Sequence, residues 1–197
     1  MKKNRNPNPE WDPVFKANYR GKLLSSESWV KLADALLDSA AKLELEVAAI
    51  WKSFREWNET KDRKGVKSDE ILSIYLMLVA FAVENLLKAQ LVRKYYDAFK
   101  EEFDSSGKLP ALLKSHKLFS LAKKADLSIG LEEEDLLRRL SRAATWSGRY
   151  PLPIEFQDLS GGEKFSDGKT WSVSHLGGQD VQRLKKLIAK IRSEFNL

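Results

Sequence analysis

The 197-residue chain has no cysteine. That absence excludes disulfides, thiolate nucleophiles and thiolate metal sites, and it suits a reducing compartment. Histidine is nearly missing too. His116 and His175 are the only two, and neither has a second histidine at metal-ligand spacing, so neither a metal nor another cofactor is expected. Ser174 and His175 adjoin one another without a nucleophile elbow and give no sign of a triad. No apolar run reaches the roughly 20 residues that span a bilayer: the most apolar stretch, residues 71–83, is followed at once by Glu84 and Asn85. The basic start, Lys2-Lys3-Asn4-Arg5, leads into Trp11-Asp12-Pro13 and not into the apolar segment of a secretory signal. A cytoplasmic protein without membrane association is expected.

Two apparent motifs fail on spacing or context. Gly161-Gly162 and Gly168-Lys169-Thr170 resemble a phosphate-binding P-loop only superficially: five residues separate Gly162 from Gly168 where the motif has four, and no buried strand and helix flank the segment. A surface turn is the better reading. Asn58-Glu59-Thr60 is a formal glycosylation triplet, which has no meaning without secretion.

What the chain does have is apolar content, 43%, enough for one core, and a mild basic excess of 34 Lys and Arg over 28 Asp and Glu. One domain is expected, and nucleic-acid contact is permitted without being required. Residues 1–24, with three prolines and six basic side chains, read as an extended basic arm. Residues 25–197 read as a single helical bundle. From Trp29 through Ala33, Leu36, Ala40, Leu43, Val47, Ile50 and Phe54 to Trp57, apolar residues recur at steps of three and four, a heptad seam. One helix over residues 26–58 would be about 50 Å long. Its seam fits either an intramolecular bundle, the favoured reading, or a second chain.

Ser68 can cap a second long helix reaching about Phe103, with Asp69 and Glu70 in its first turn. Its beginning is apolar nearly all round and belongs at the centre of the fold, with the seam helix packed antiparallel along it. Pro110 opens a third helix carrying His116, and Glu132 to Asp135 open a fourth that has Arg138, Arg139 and Arg142 toward its end and is stopped by Pro151 and Pro153. Residues 151–180 form a long irregular loop, with a short hairpin near Trp171 and Val173. A C-terminal helix over residues 179–195 turns Val181, Leu184, Ile188, Ile191 and Phe195 inward and carries Arg183, Lys186 and Lys190 as a basic stripe. The fold class is therefore all-α: two long antiparallel helices, shorter packing helices, and the loop before the last helix.

The polar residues that stand out are Glu84, Asn85 and Lys88 in the central helix, His116, and the group Arg142, Arg149 and Tyr150. Glu84 and Lys88 are four apart and share a helix face. They form either a self-satisfied pair that fixes helix register or part of a ligand site, and a carboxylate just past an apolar run requires a donor such as His116, Arg149 or Tyr150.

These residues also carry a resemblance. Phe81-Ala-Val-Glu84-Asn85-Leu-Leu-Lys88-Ala89 followed by Val92, then His116-Lys-Leu118 with Leu121-Ala122, then Gly148-Arg149-Tyr150-Pro151, resemble the helical HEPN family (higher eukaryotes and prokaryotes nucleotide-binding) over about residues 68–153. The resemblance implies a helical bundle, homodimerisation, and roles in RNA cleavage, nucleotide or RNA binding, toxin–antitoxin systems or antiviral defence. Catalytic members carry an arginine and, four to six residues on, a histidine. Here the window after Arg142 holds Ser147, Gly148 and Arg149. Arginine stays protonated at any working pH and cannot serve as the base that RNA cleavage requires. It can still bind phosphate, and Tyr150 can stack on a base.

The expectation is thus a non-catalytic HEPN-like protein, a homodimer, binding nucleic acid, a nucleotide or a protein partner such as an antitoxin. Nucleic acid would be met by Arg183, Lys186 and Lys190 or by the polar cluster. A metal-independent ribonuclease with an atypical site built from His116, Arg142, Arg149 and Tyr150, and a purely structural dimeric module, are the alternatives.

Overall fold

A computed structural model describes residues 12–61, 70–145, 149–150, 162–164, 168, 170–172 and 179–197. It is an all-α bundle. In chain order the helices are α1 (Asp12–Leu24), α2 (Ser26–Ala41), α3 (Glu44–Thr60), α4 (Glu70–Lys94), α5 (Tyr96–Ser106), a 3-10 turn (Ala111–Lys114), α6 (Leu118–Lys124), α7 (Leu131–Thr145) and α8 (Asp180–Phe195). Between α7 and α8, β1 (Gly162–Lys164) and β2 (Thr170–Ser172) pair antiparallel with Glu163 opposite Trp171, where a short hairpin was expected.

The centre is α4. From Val79 to Val92 nearly every residue is buried, and α2, α6, α7 and α8 surround it. A helix apolar on all sides is stable in water only when other helices cover it. It is the one helix among the described residues long and apolar enough to cross a membrane, and 56% of that stretch lies buried inside the bundle. Trp29 in α2 sits against Lys88 late in α4, while Glu44 at the start of α3 acts on Tyr75 early in α4. The α2–α3 limb therefore runs antiparallel to α4, as its seam implied. The enclosed part of α4 lies further along than expected, however. Ile74 is 39% exposed, because α3 buries only Val47 and Ile50 and leaves the front of α4 partly uncovered among the described residues.

Four expectations need correction. Residues 12–24 are a helix, not an extended arm: Asp12 and Pro13 suit a first helical turn, Leu23 is buried, Tyr19 stacks on Phe103 and Arg20 pairs with Asp104 at 2.7 Å. The single 26–58 helix is two helices, broken at Lys42 and Leu43. The break preserves the face, since Ala40, Leu43 and Val47 keep their three- and four-residue steps, and Glu44 and Glu46 mark the new positive end. The second long helix is likewise divided at Tyr95 and ends at Gly107, whose φ of 65° closes α5. Finally, His116 is not helical. Ser115 is extended and its hydroxyl accepts from the Lys117 amide at 3.2 Å, a local bond that competes with helix formation.

The C-terminal helix is fastened by charge. Arg139 of α7 bonds Asp180 of α8 and Asp135 of its own helix, each at 2.5 Å. Lys190 reaches Glu133, Lys185 reaches Glu44, Arg192 pairs with Asp34, and the Arg93 guanidinium donates to the Phe195 carbonyl. Between these contacts Leu184, Leu187, Ile191 and Phe195 fill the core.

Candidate functional site

One face of α4 carries the site, because Phe81, Glu84, Asn85 and Lys88 recur at steps of three and four residues and line up along the helix. Glu84 and Lys88 are both buried, at 5% and 3% exposure, and the ammonium donates to Glu84 Oε1 at 2.5 Å. Neither charge is tolerable there alone. Trp29 lays its ring 5.8 Å from the Lys88 nitrogen and in turn donates its indole N–H to the Leu23 carbonyl, so α1, α2 and α4 converge behind the pair. Asn85 donates to the Phe81 carbonyl at 2.6 Å, a bond within its own helix.

The second oxygen of Glu84 is taken by His116, whose Nδ1 lies 2.8 Å away. The carboxylate is already ion-paired with Lys88, so the shared proton belongs to the imidazole and the N–H is on Nδ1. Nε2 then carries a lone pair and has no hydrogen-bond partner among the described residues. Its side chain is 47% exposed. The extended backbone between the 3-10 turn and α6 makes this possible, and the Leu118 amide is held by the Ser141 hydroxyl at 2.9 Å, which ties the segment to α7.

One helical turn before Glu84, the Arg149 guanidinium stands 4.8 Å above the Phe81 ring. Arg149 and Tyr150 are exposed, as are Lys114 and Lys117 on either side of His116, and none of the three cations has an ion-pair partner among the described residues. The α4 face over the buried pair thus carries the Arg149 guanidinium and the His116 ring. Glu84 has both oxygens occupied, one by Lys88 and one by His116.

Of the residues singled out from sequence, Glu84, Lys88 and His116 come into direct contact, and Asn85 and Arg149 join them through Phe81. Glu84 takes its expected donor from His116. Tyr150 lies beside Arg149 with its ring 53% exposed, and Arg142 is half-buried in the last turn of α7. The C-terminal stripe does not act as a unit: Arg183 lies 3.5 Å from Asp180, Lys190 pairs with Glu133 at 3.1 Å, and Lys186 alone is exposed without an ion-pair partner among the described residues. Trp29, Phe81, Lys114 and Lys117 were not identified from sequence. Phe81 was accessible to that reasoning, being three residues before Glu84 on the same face; Trp29 was not, since its seam position says nothing of its partner.

Among the described residues no group of three His, Asp or Glu side chains is placed to hold a metal ion. His175, Val173 and most of the glycine-rich segment fall outside the described residues. No protein-family model, curated protein or solved structure matches the chain.

Proposed function

We propose that this is a HEPN-like helical protein of the cytoplasm that binds nucleic acid without cleaving it, through His116 and Arg149 over α4 and the exposed Lys114 and Lys117 that flank His116 in sequence. The observation that carries the reading is the position of Arg149: it stands exposed over Phe81, one helical turn before Glu84, whose two oxygens are already taken by Lys88 and His116. A guanidinium can pair with a phosphate, and the adjacent Tyr150 supplies a ring for a base. The α8 stripe is the weaker surface, since Lys190 already ties α8 to Glu133 of α7 and Arg183 lies 3.5 Å from Asp180 of its own helix. Titrating labelled single-stranded RNA across a salt series tests this. Loss of Arg149 and Lys117 should flatten the salt dependence by about one unit of slope per phosphate contact removed, while Lys186→Glu leaves it unchanged. Salt-insensitive binding, or a slope that responds only to Lys186, overturns the assignment.

A second reading, metal-independent RNA cleavage, is favoured by one observation: Glu84 engages His116 at Nδ1, which leaves Nε2 without a hydrogen-bond partner among the described residues, the orientation that a general base requires. Homodimerisation is proposed as well, supported by the 39% exposure of Ile74 among the described residues.

A further inference from the structure

The cations of this surface attract any phosphodiester, ribose or deoxyribose alike. His116 adds something different. Its Nδ1–H is committed to Glu84 at 2.8 Å, and Glu84 is kept an acceptor by Lys88 at 2.5 Å, so the exposed Nε2 can only accept a hydrogen bond while the ring is neutral. An imidazole free to choose its tautomer would serve donors and acceptors equally; this one is restricted to partners that bring an O–H or N–H. Arg149, over Phe81 one helical turn before Glu84, and Lys114 and Lys117, which flank His116 in the chain, have only donors to offer. The ligand therefore has to present acceptors and, next to them, a donor. A phosphodiester supplies the acceptors. Within a nucleic-acid backbone the donor adjacent to the phosphate is the ribose 2′-hydroxyl, which is also the group that separates RNA from DNA.

Resting on the nucleic-acid reading above, we infer that His116 is the residue by which the protein selects RNA over DNA, accepting a hydrogen bond from a 2′-hydroxyl at Nε2 while the flanking cations hold the neighbouring phosphate. Lys88 and Glu84 are positioning residues in this scheme, acting through the tautomer they impose.

The test uses the full-length protein and short labelled single-stranded oligouridylates of four kinds: ribose, 2′-fluoro, 2′-O-methyl and deoxyribose, at one salt concentration and neutral pH. The 2′-fluoro sugar keeps the ribose-like pucker but has no O–H to donate, so it separates hydrogen bonding from shape. The ribose oligomer should bind about fivefold more tightly than the other three, the size of one net hydrogen bond. In His116→Ala all four should bind alike, at the affinity of the wild type for the deoxyribose oligomer, because Arg149 and the lysines remain while the acceptor is gone. Equal binding of ribose and 2′-fluoro oligomers by the wild type overturns the inference, with no variant needed, and so does a ribose preference that survives in His116→Ala. Failure of every oligomer to bind would instead overturn the nucleic-acid reading itself, so the two failures are distinguishable.

Discussion

Lys88 and Glu84 meet one helical turn apart in the middle of α4, 2.5 Å from nitrogen to oxygen and with almost no access to solvent. Removing one partner strands the other charge in the core, which typically costs about 3–5 kcal/mol, whereas replacing both with apolar residues is often neutral. Lys88→Met should therefore lower stability by about that amount in urea denaturation. The Glu84→Leu, Lys88→Met double variant should recover most of the loss. A double variant as unstable as the single one shows that the pair's geometry, and not its charge balance, sets the energy.

Acid should loosen the junction of α7 with α8. The Glu133 carboxyl is held below the ordinary carboxylate value: partial burial works against the charged form, but hydrogen bonds from Lys190 and the Gly130 amide, which approaches at 2.8 Å, outweigh it. A depressed carboxyl contributes stability that is present above its unfolded value and is lost as pH falls through the folded one. Glu133→Gln should thus be less stable than the wild type at neutral pH and indistinguishable from it in acid. Parallel urea midpoints at the two pH values measure the difference.

Gly107 closes α5 in the left-handed region, its amide donating to the Phe103 carbonyl at 2.7 Å. Nothing crowds the position, so the cost of a side chain there is conformational alone. Gly107→Ala should lose about 1 kcal/mol, while Gly107→Asn should lose less, since asparagine tolerates that conformation better. Thermal melts of the two variants give the order.

With no histidine in the window after Arg142, purified protein should degrade RNA no faster than an Arg142→Ala control. Activity abolished by Arg142→Ala or His116→Ala would establish the cleavage reading in place of binding.

Much of the bundle was legible because periodicity reports which face a residue occupies. The apolar run from Ile71 had to be central and the Trp29 to Trp57 seam had to lie along it, although the enclosed stretch, Val79 to Val92, begins later than the run does. Periodicity does not report continuity. The turn at Lys42 and Leu43 conserves the face and so escaped notice, although Glu44 and Glu46 could have marked a helix start. The site was legible as a set of residues but not as a geometry. Glu84 and Lys88 are related by helical spacing alone, while the 32 residues between Glu84 and His116 are bridged by a path no local pattern encodes. The α8 cations misled for a related reason: a basic stripe looks the same in sequence whether it faces solvent or the acidic residues Asp180, Glu133 and Glu44.

Because Glu84 serves a core lysine with one oxygen and a surface histidine with the other, the interior of the bundle is wired to its exterior through a single side chain. Any event that alters the demand of His116 on that carboxylate, whether a bound hydroxyl, a proton or a substitution, also alters the hold on Lys88. The melting point of the whole protein is in this sense a gauge of what occupies its surface, and ligands can be screened by thermal shift without knowing in advance what reaction, if any, the site performs.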